Sequence, residues 1–193
     1  AACEHKGSLQ DAKRMAKAAK EAGADIVKFQ LHLPEIEMVP NSVKFWAGSM
    51  DQVLAQVNLS LDDHRALMRY CRTIGIQFLC TAYCAAGIDV LHELGVAAFK
   101  IGSGELTNLP MIRHVARISA RTRKPVIVST GMCTMEEITE TVAVLTRERA
   151  HFSTATHTHT RTRARTRAPA LRAPARAHPH THVRTQRMCA QCG

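Results

Sequence analysis

One pattern recurs along the chain: a short, continuously apolar run, one or two polar residues where the run ends, and then an amphipathic helix. The runs are IVKFQL (26–31), IQFLCTAY (76–83), AAFKIG (97–102) and KPVIVST (124–130), and the opening AACEH reads as the end of another. Strands without polar alternation are buried on both faces, the condition of a parallel sheet. The helices between them carry their own boundary signals. Ser8 is an N-cap candidate, Ser60 with Asp63 and Thr134 with Glu137 form capping boxes, and Gly23, Gly75 and Gly95 stop helices. Met15, Ala16, Ala19 and Ala22 mark the inner face of the first helix. Leu67, Tyr70, Cys71 and Ile74 do the same for the helix that Ser60 opens.

The order is therefore βα repeated five times, an α/β chain with a parallel sheet. In each unit the polar residues gather at the strand's C-terminal end: His5, Lys28 with Gln30, Thr81, Lys100 with Ser103, and Ser129 with Thr130. That is the layout of a (β/α)8 TIM barrel, whose βα loops hold the site. Five units are fewer than eight, so the expected fold is an incomplete (β/α)8 barrel over residues 1–150. Residues 32–59 read as a long connection containing Pro34, Pro40, Trp46 and Gly48, of the kind that forms a lid or substrate loop.

The formal charge of +10 at first suggests a nucleic-acid partner. Its distribution says otherwise. From His151 onward there are 8 Arg and neither Lys nor acid, leaving 18 basic and 16 acidic groups, a net +2, in residues 1–150. Residues 151–193 read as a low-complexity basic tail with no hydrophobic period, hence disordered. Its His-Thr and Arg-Ala alternation is also what translated dinucleotide repeats give, so a gene-model artefact is the other expectation. The tail has no interleaved aromatics for base stacking, and no specific nucleic-acid partner is expected. The seven cysteines are odd in number, and five lie in or beside apolar segments, which points to reduced thiols in a cytoplasmic protein. Cys189 and Cys192 form a lone CxxC without a second pair. No run is long and apolar enough to suggest a membrane span.

The stretch FKIGSGELTNLP (99–110) carries the chemistry. A buried strand opens into a glycine-bracketed serine, where backbone N–H groups can converge on an anion. Lys100 sits in the strand and Glu105 just past the turn. A lysine on a buried strand is costly unless it meets an anion, so Lys28 and Lys100 are anion-contact candidates, with a buried ion pair as the alternative. Ser103 and Ser129 read equally as anion contacts or helix caps, Glu105 as an acid/base group or an ion-pair partner, and Thr81 alone as an ordinary strand threonine.

With HKGSL, EAGADIVKFQ, ELGVAAFKIGSGELTNLPMI and KPVIVSTGMCTMEEI placed in order, residues 4–149 resemble the N-acetylneuraminate (sialic acid) synthase family. The resemblance implies a metal-dependent barrel joining phosphoenolpyruvate to N-acetylmannosamine or a related amino-sugar, giving a nonulosonic acid and phosphate. It assigns Lys28 and Lys100 to phosphoenolpyruvate. Thr81, Ser103 and Ser129 become hydroxyls around its phosphate and carboxylate, Gln30 a sugar-side contact, and Glu105 a proton-transfer group beside Lys100. A divalent metal (Mn or Mg) is implied, but the family's two metal-binding histidines fall beyond residue 150. His157, His159, His178, His180 and His182 lack the strand context to replace them. Low activity is therefore expected of this chain, with no metal ligands in it. The third strand ends Cys80-Thr81-Ala82-Tyr83 where the family has Ser-Thr-Pro-Phe, and the family's C-terminal domain, which builds its homodimer, is not in the sequence. The alternatives are a related phosphoenolpyruvate–sugar-phosphate synthase, or a non-catalytic fragment acting through its basic tail.

Overall fold

The computed structural model describes residues 3–41, 44–45 and 48–155. In chain order the elements are α1 (Leu9–Glu21), β1 (Ile26–Leu31), α2 (Pro34–Glu37), β2 (Lys44–Phe45), β3 (Gly48–Ser49), α3 (Met50–Val57), α4 (Leu61–Thr73), β4 (Gln77–Ala82), α5 (Ala85–Leu94), β5 (Phe99–Ile101), α6 (Leu109–Thr122), β6 (Val126–Ser129), α7 (Met135–Arg147) and β7 (Phe152–Ala155).

Five strands form one parallel sheet in the order β1-β4-β5-β6-β7. The order follows the sequence with no reversal, which is how consecutive units of a (β/α)8 barrel lie and not how a doubly wound sheet does. Val27, Phe29 and Leu31, Phe78, Cys80 and Ala82, Phe99 and Ile101, and Val126 and Val128 are all buried. Register puts them on one face of the sheet. They share a core with Ala12 and Ala16 of α1, Leu67 and Cys71 of α4, Ile88 and Leu91 of α5, Ile112 and Val115 of α6, and Leu145 of α7. Around this layer α1 packs on α4, α5 on α6, and α6 on α7. The fold is α/β, an incomplete (β/α)8 barrel, as the apolar runs required.

Helix starts follow the local chemistry. The Ser8 hydroxyl accepts from the Asp11 N–H at 3.2 Å, and the Ser60–Asp63 and Thr134–Glu137 capping boxes close in both directions. Gly95 ends α5 in the left-handed region at φ 75°. Ala22 is exposed, so the buried face of α1 is Ala12 and Ala16.

Three boundaries differ from the sequence reading. Residues 3–5, read as a strand end, form a turn, because the Lys6 N–H donates to the Cys3 carbonyl at 3.0 Å and folds the chain there; the turn expected at Gly7 is present, at φ 77°. Residues 32–59 are not one open connection. Pro34 opens α2, β2 and β3 pair antiparallel, and α3 follows; Trp46 lies outside the described residues. Finally, β7 pairs in parallel with β6 from Val126↔Phe152 to Ser129↔Ala155. A barrel segment ending at residue 150 thus stops short of the sheet. Arg149, at φ 57°, turns the chain after α7, and Phe152 packs on the core. Residues 156–193, including the tail histidines and Cys189–Cys192, lie outside the described residues.

Candidate active site

The parallel register gathers the polar strand residues. Gln30 pairs with Thr81, Thr81 with Lys100, Lys100 with Ile127, and Ile127 with Ser153. Strand side chains alternate faces, so this row lies opposite the helix-covered apolar face. Lys28, two residues before Gln30, and Ser129, two after Ile127, share its side. The sheet thereby brings together Lys28, Gln30, Thr81, Lys100 and Ser129.

Lys100 is 3% exposed, and its Nζ donates to Ser129 Oγ at 2.6 Å and to the Ile101 carbonyl. Among the described residues neither Lys28 nor Lys100 forms an ion pair. Burial, with the nearby Lys28 charge adding to it, lowers the Lys100 pKa from 10.5 to about 8. Two lysines crowd one face with no carboxylate between them. An anion is the complement that arrangement lacks.

Ser103 and Glu105 sit on the loop after β5, a single 3-10 turn (Ser103–Glu105). This loop touches the one after β6: the Cys133 thiol donates to the Ser103 carbonyl at 3.5 Å. Asn108 caps α6 and Thr134 caps α7, so neither Ser103 nor Ser129 serves as a helix cap. Glu105 accepts from Asn108 Nδ2 at 3.1 Å and pairs with no lysine among the described residues. No hydrogen bond joins Ser103 or Glu105 to Lys100.

Beside the lysines lies a network the sequence reading missed. His32 Nδ1 meets Glu37 Oε2 at 2.9 Å, and the Leu33 N–H donates to Glu37 Oε1 at 2.9 Å. The His32 ring stacks on Tyr83 at 4.3 Å between centroids, and the Gln30 amide donates to the Tyr83 hydroxyl. Burial works against a charge on His32, but its hydrogen bonds with Cys3 and Glu37 outweigh it and raise the pKa from 6.5 to about 9. Burial, and the neighbouring Cys3, Cys80, Glu37 and Glu105, push the Tyr83 phenol upward. His64, fully buried on α4, has one ring nitrogen 3.0 Å from the Ser60 carbonyl and the other 3.1 Å from the Gln30 carbonyl, fastening β1 to that helix. The available signals were a histidine five residues before an acid, and a tyrosine where the resembling family has Phe.

Among the described residues no group of three or more His, Cys, Asp or Glu is placed to hold a metal ion. No helix among them is long and apolar enough to cross a membrane.

A parallel α/β barrel sheet with polar strand-end residues defines a broad class of barrel proteins, and sequence comparison narrows it. The chain belongs to the NeuB family, which it matches over residues 15–173. It is 37% identical over 147 residues to the N,N'-diacetyllegionaminic acid synthase of Legionella pneumophila, covering 72% of this chain and 40% of the relative. It is 31% identical over 148 residues to the human N-acetylneuraminate-9-phosphate synthase, covering 73% and 40%. The fold matches the crystal structure of an N-acetylneuraminic acid synthetase from Leptospira borgpetersenii with a TM-score of 0.72 and 23% identity, over 81% of this chain and 51% of that one. The chain spans about 40% of the length of the curated relatives it matches.

Proposed function

We propose that this protein is a transferase that condenses phosphoenolpyruvate with N-acetylmannosamine or a related amino-sugar, giving a nonulosonic acid and phosphate. The supporting observation is the pair Lys28 and Lys100, unpaired with any described carboxylate, on one face of a NeuB-family sheet. In the reaction C3 of phosphoenolpyruvate forms a bond to the sugar aldehyde carbon, water adds at C2, and the C–O bond to phosphate breaks. Lys28, Lys100, Thr81, Ser103 and Ser129 hold the trianionic substrate through charge-assisted hydrogen bonds. Gln30, held by Tyr83, orients the sugar. Glu105 moves a proton as the aldehyde oxygen takes up charge and water adds. The divalent cation (Mn or Mg) that the family implies finds no ligand set among the described residues, and no step is assigned to it.

The test is phosphoenolpyruvate consumption and phosphate release by the full chain with Mn²⁺, supplied with N-acetylmannosamine or its 6-phosphate. Expected are binding of phosphoenolpyruvate and sugar-dependent phosphate release at a low rate, the preferred sugar giving the substrate class. Phosphoenolpyruvate that is neither bound nor consumed would overturn the reading.

A further inference from the structure

Cys3, His32 and Glu37 form a chain of groups that the reaction above does not use. His32 is 7% exposed and the Glu37 side chain 5%, and their 2.9 Å contact fixes the imidazole edge. The Tyr83 ring stacked at 4.3 Å, with an interplanar angle of 16°, fixes its plane. The other ring nitrogen, Nε2, is turned toward Gln30 Oε1 at 3.5 Å, the limit of a hydrogen bond. The Cys3 thiol donates to that same oxygen at 3.2 Å. Sulfur and Nε2 thus converge on one point, with a carboxylate behind the imidazole. Nucleophile, imidazole and carboxylate in that order is one arrangement that activates a thiol. Cys3 is a free thiol and only half-buried, so a small reagent can reach it.

We propose that Cys3 is a hydroperoxide-sensitive thiol activated by the buried His32–Glu37 pair. The thiolate is the reactive form of cysteine, and a cationic imidazole is its usual counter-charge. His32, with its pKa raised to about 9, supplies that cation at neutral pH. The sulfur attacks one peroxide oxygen, forming an S–O bond as the O–O bond breaks. The thiol's proton leaves to solvent as the thiolate forms against the His32 imidazolium, and the departing hydroxide takes a proton from that imidazolium and leaves as water. Sulfur is oxidised to sulfenic acid and the peroxide is reduced. The product no longer presents the S–H donor to Gln30 Oε1, so oxidation alters the hydrogen bonding of a strand-end residue. The site stands on its own geometry, whatever the protein's substrate.

The test exposes the folded full chain to hydrogen peroxide, traps sulfenic acid with dimedone, and follows the Cys3 peptide by mass spectrometry. The same measurement is made in urea and on His32→Gln and Glu37→Gln. Cys3 is expected to be trapped at least tenfold faster in the folded chain than in urea. His32→Gln is expected to remove that advantage and Glu37→Gln to reduce it. A Cys3 rate equal in folded and unfolded wild type overturns the proposal even if neither variant folds. So does a rate unchanged in a folded His32→Gln.

Discussion

Lys100 Nζ donates to Ser129 Oγ at 2.6 Å across neighbouring strands, and that hydroxyl and a backbone carbonyl are its hydrogen-bond partners. A buried ammonium satisfied by neutral oxygens alone carries an uncompensated desolvation cost. The nearby Lys28 raises that cost. In the proposed reaction that cost is recovered when the phosphoenolpyruvate anion binds.

Removing the ammonium should therefore stabilise the free protein. The move of the Lys100 pKa from 10.5 to about 8 corresponds to roughly 3 kcal/mol at about 1.36 kcal/mol per unit, an upper limit on the gain. Lys100→Met is expected to raise stability by about 1–3 kcal/mol, read as a Tm several degrees higher. A lower Tm in a folded variant would mean that Lys100 is a structural group.

Anion affinity should fall as pH rises through about 8, because Lys100 is charged below that pH and neutral above it. Phosphoenolpyruvate titrations at pH 7 and pH 9.5 check this, since a phosphate monoester's second ionisation, at about 6, lies below both. The same group works oppositely on folding. Its folded pKa lies below the unfolded one, so its cost is full below about 8 and disappears as pH rises toward 10.5.

The His32–Glu37 pair has the reverse sign. His32 titrates at about 9 when folded and 6.5 when unfolded, so its stabilisation is fully present below pH 6.5 and lost as pH rises through 9. Glu37→Gln should cost about 3 kcal/mol at pH 6, the usual penalty for breaking a buried pair, and much less at pH 9.5. Urea midpoints at the two pH values decide it, and equal losses would refute the pair's role.

Gly7 tests the backbone of the opening turn, with no hydrogen bond to either Lys28 or Lys100. It holds φ 77°, and a Cβ there would sit 2.9 Å from the Gln56 carbonyl oxygen at the end of α3. Gly7→Ala should destabilise by about 1–3 kcal/mol while leaving phosphoenolpyruvate affinity in the folded protein unchanged. Thermal melts alongside calorimetric titration separate the two effects.

Four strands of the sheet, β1, β4, β5 and β6, were legible because each is a largely apolar run followed by a helix signal. Lys28, Gln30, Thr81, Lys100 and Ser129 were legible as polar interruptions of those runs. Their common face, however, follows from inter-strand register, which no single segment encodes. β7 escaped notice because FSTA offers one large apolar residue and leads directly into the arginine-rich stretch. The opening residues misled because AACEH has strand-like composition, whereas the turn closed by the Lys6 N–H on the Cys3 carbonyl is a backbone contact that composition does not carry. His32–Glu37 and His64 went unread because their partners are set by α2 and by the docking of α4 on β1. A histidine's neighbours are tertiary facts.

The most direct measurement is calorimetric titration of phosphoenolpyruvate into the folded full chain without metal, beside Lys100→Met shown to be folded by circular dichroism. The account predicts one site per chain, with affinity falling at least tenfold in the variant. No binding to the folded wild type, or equal affinity in both, would contradict it.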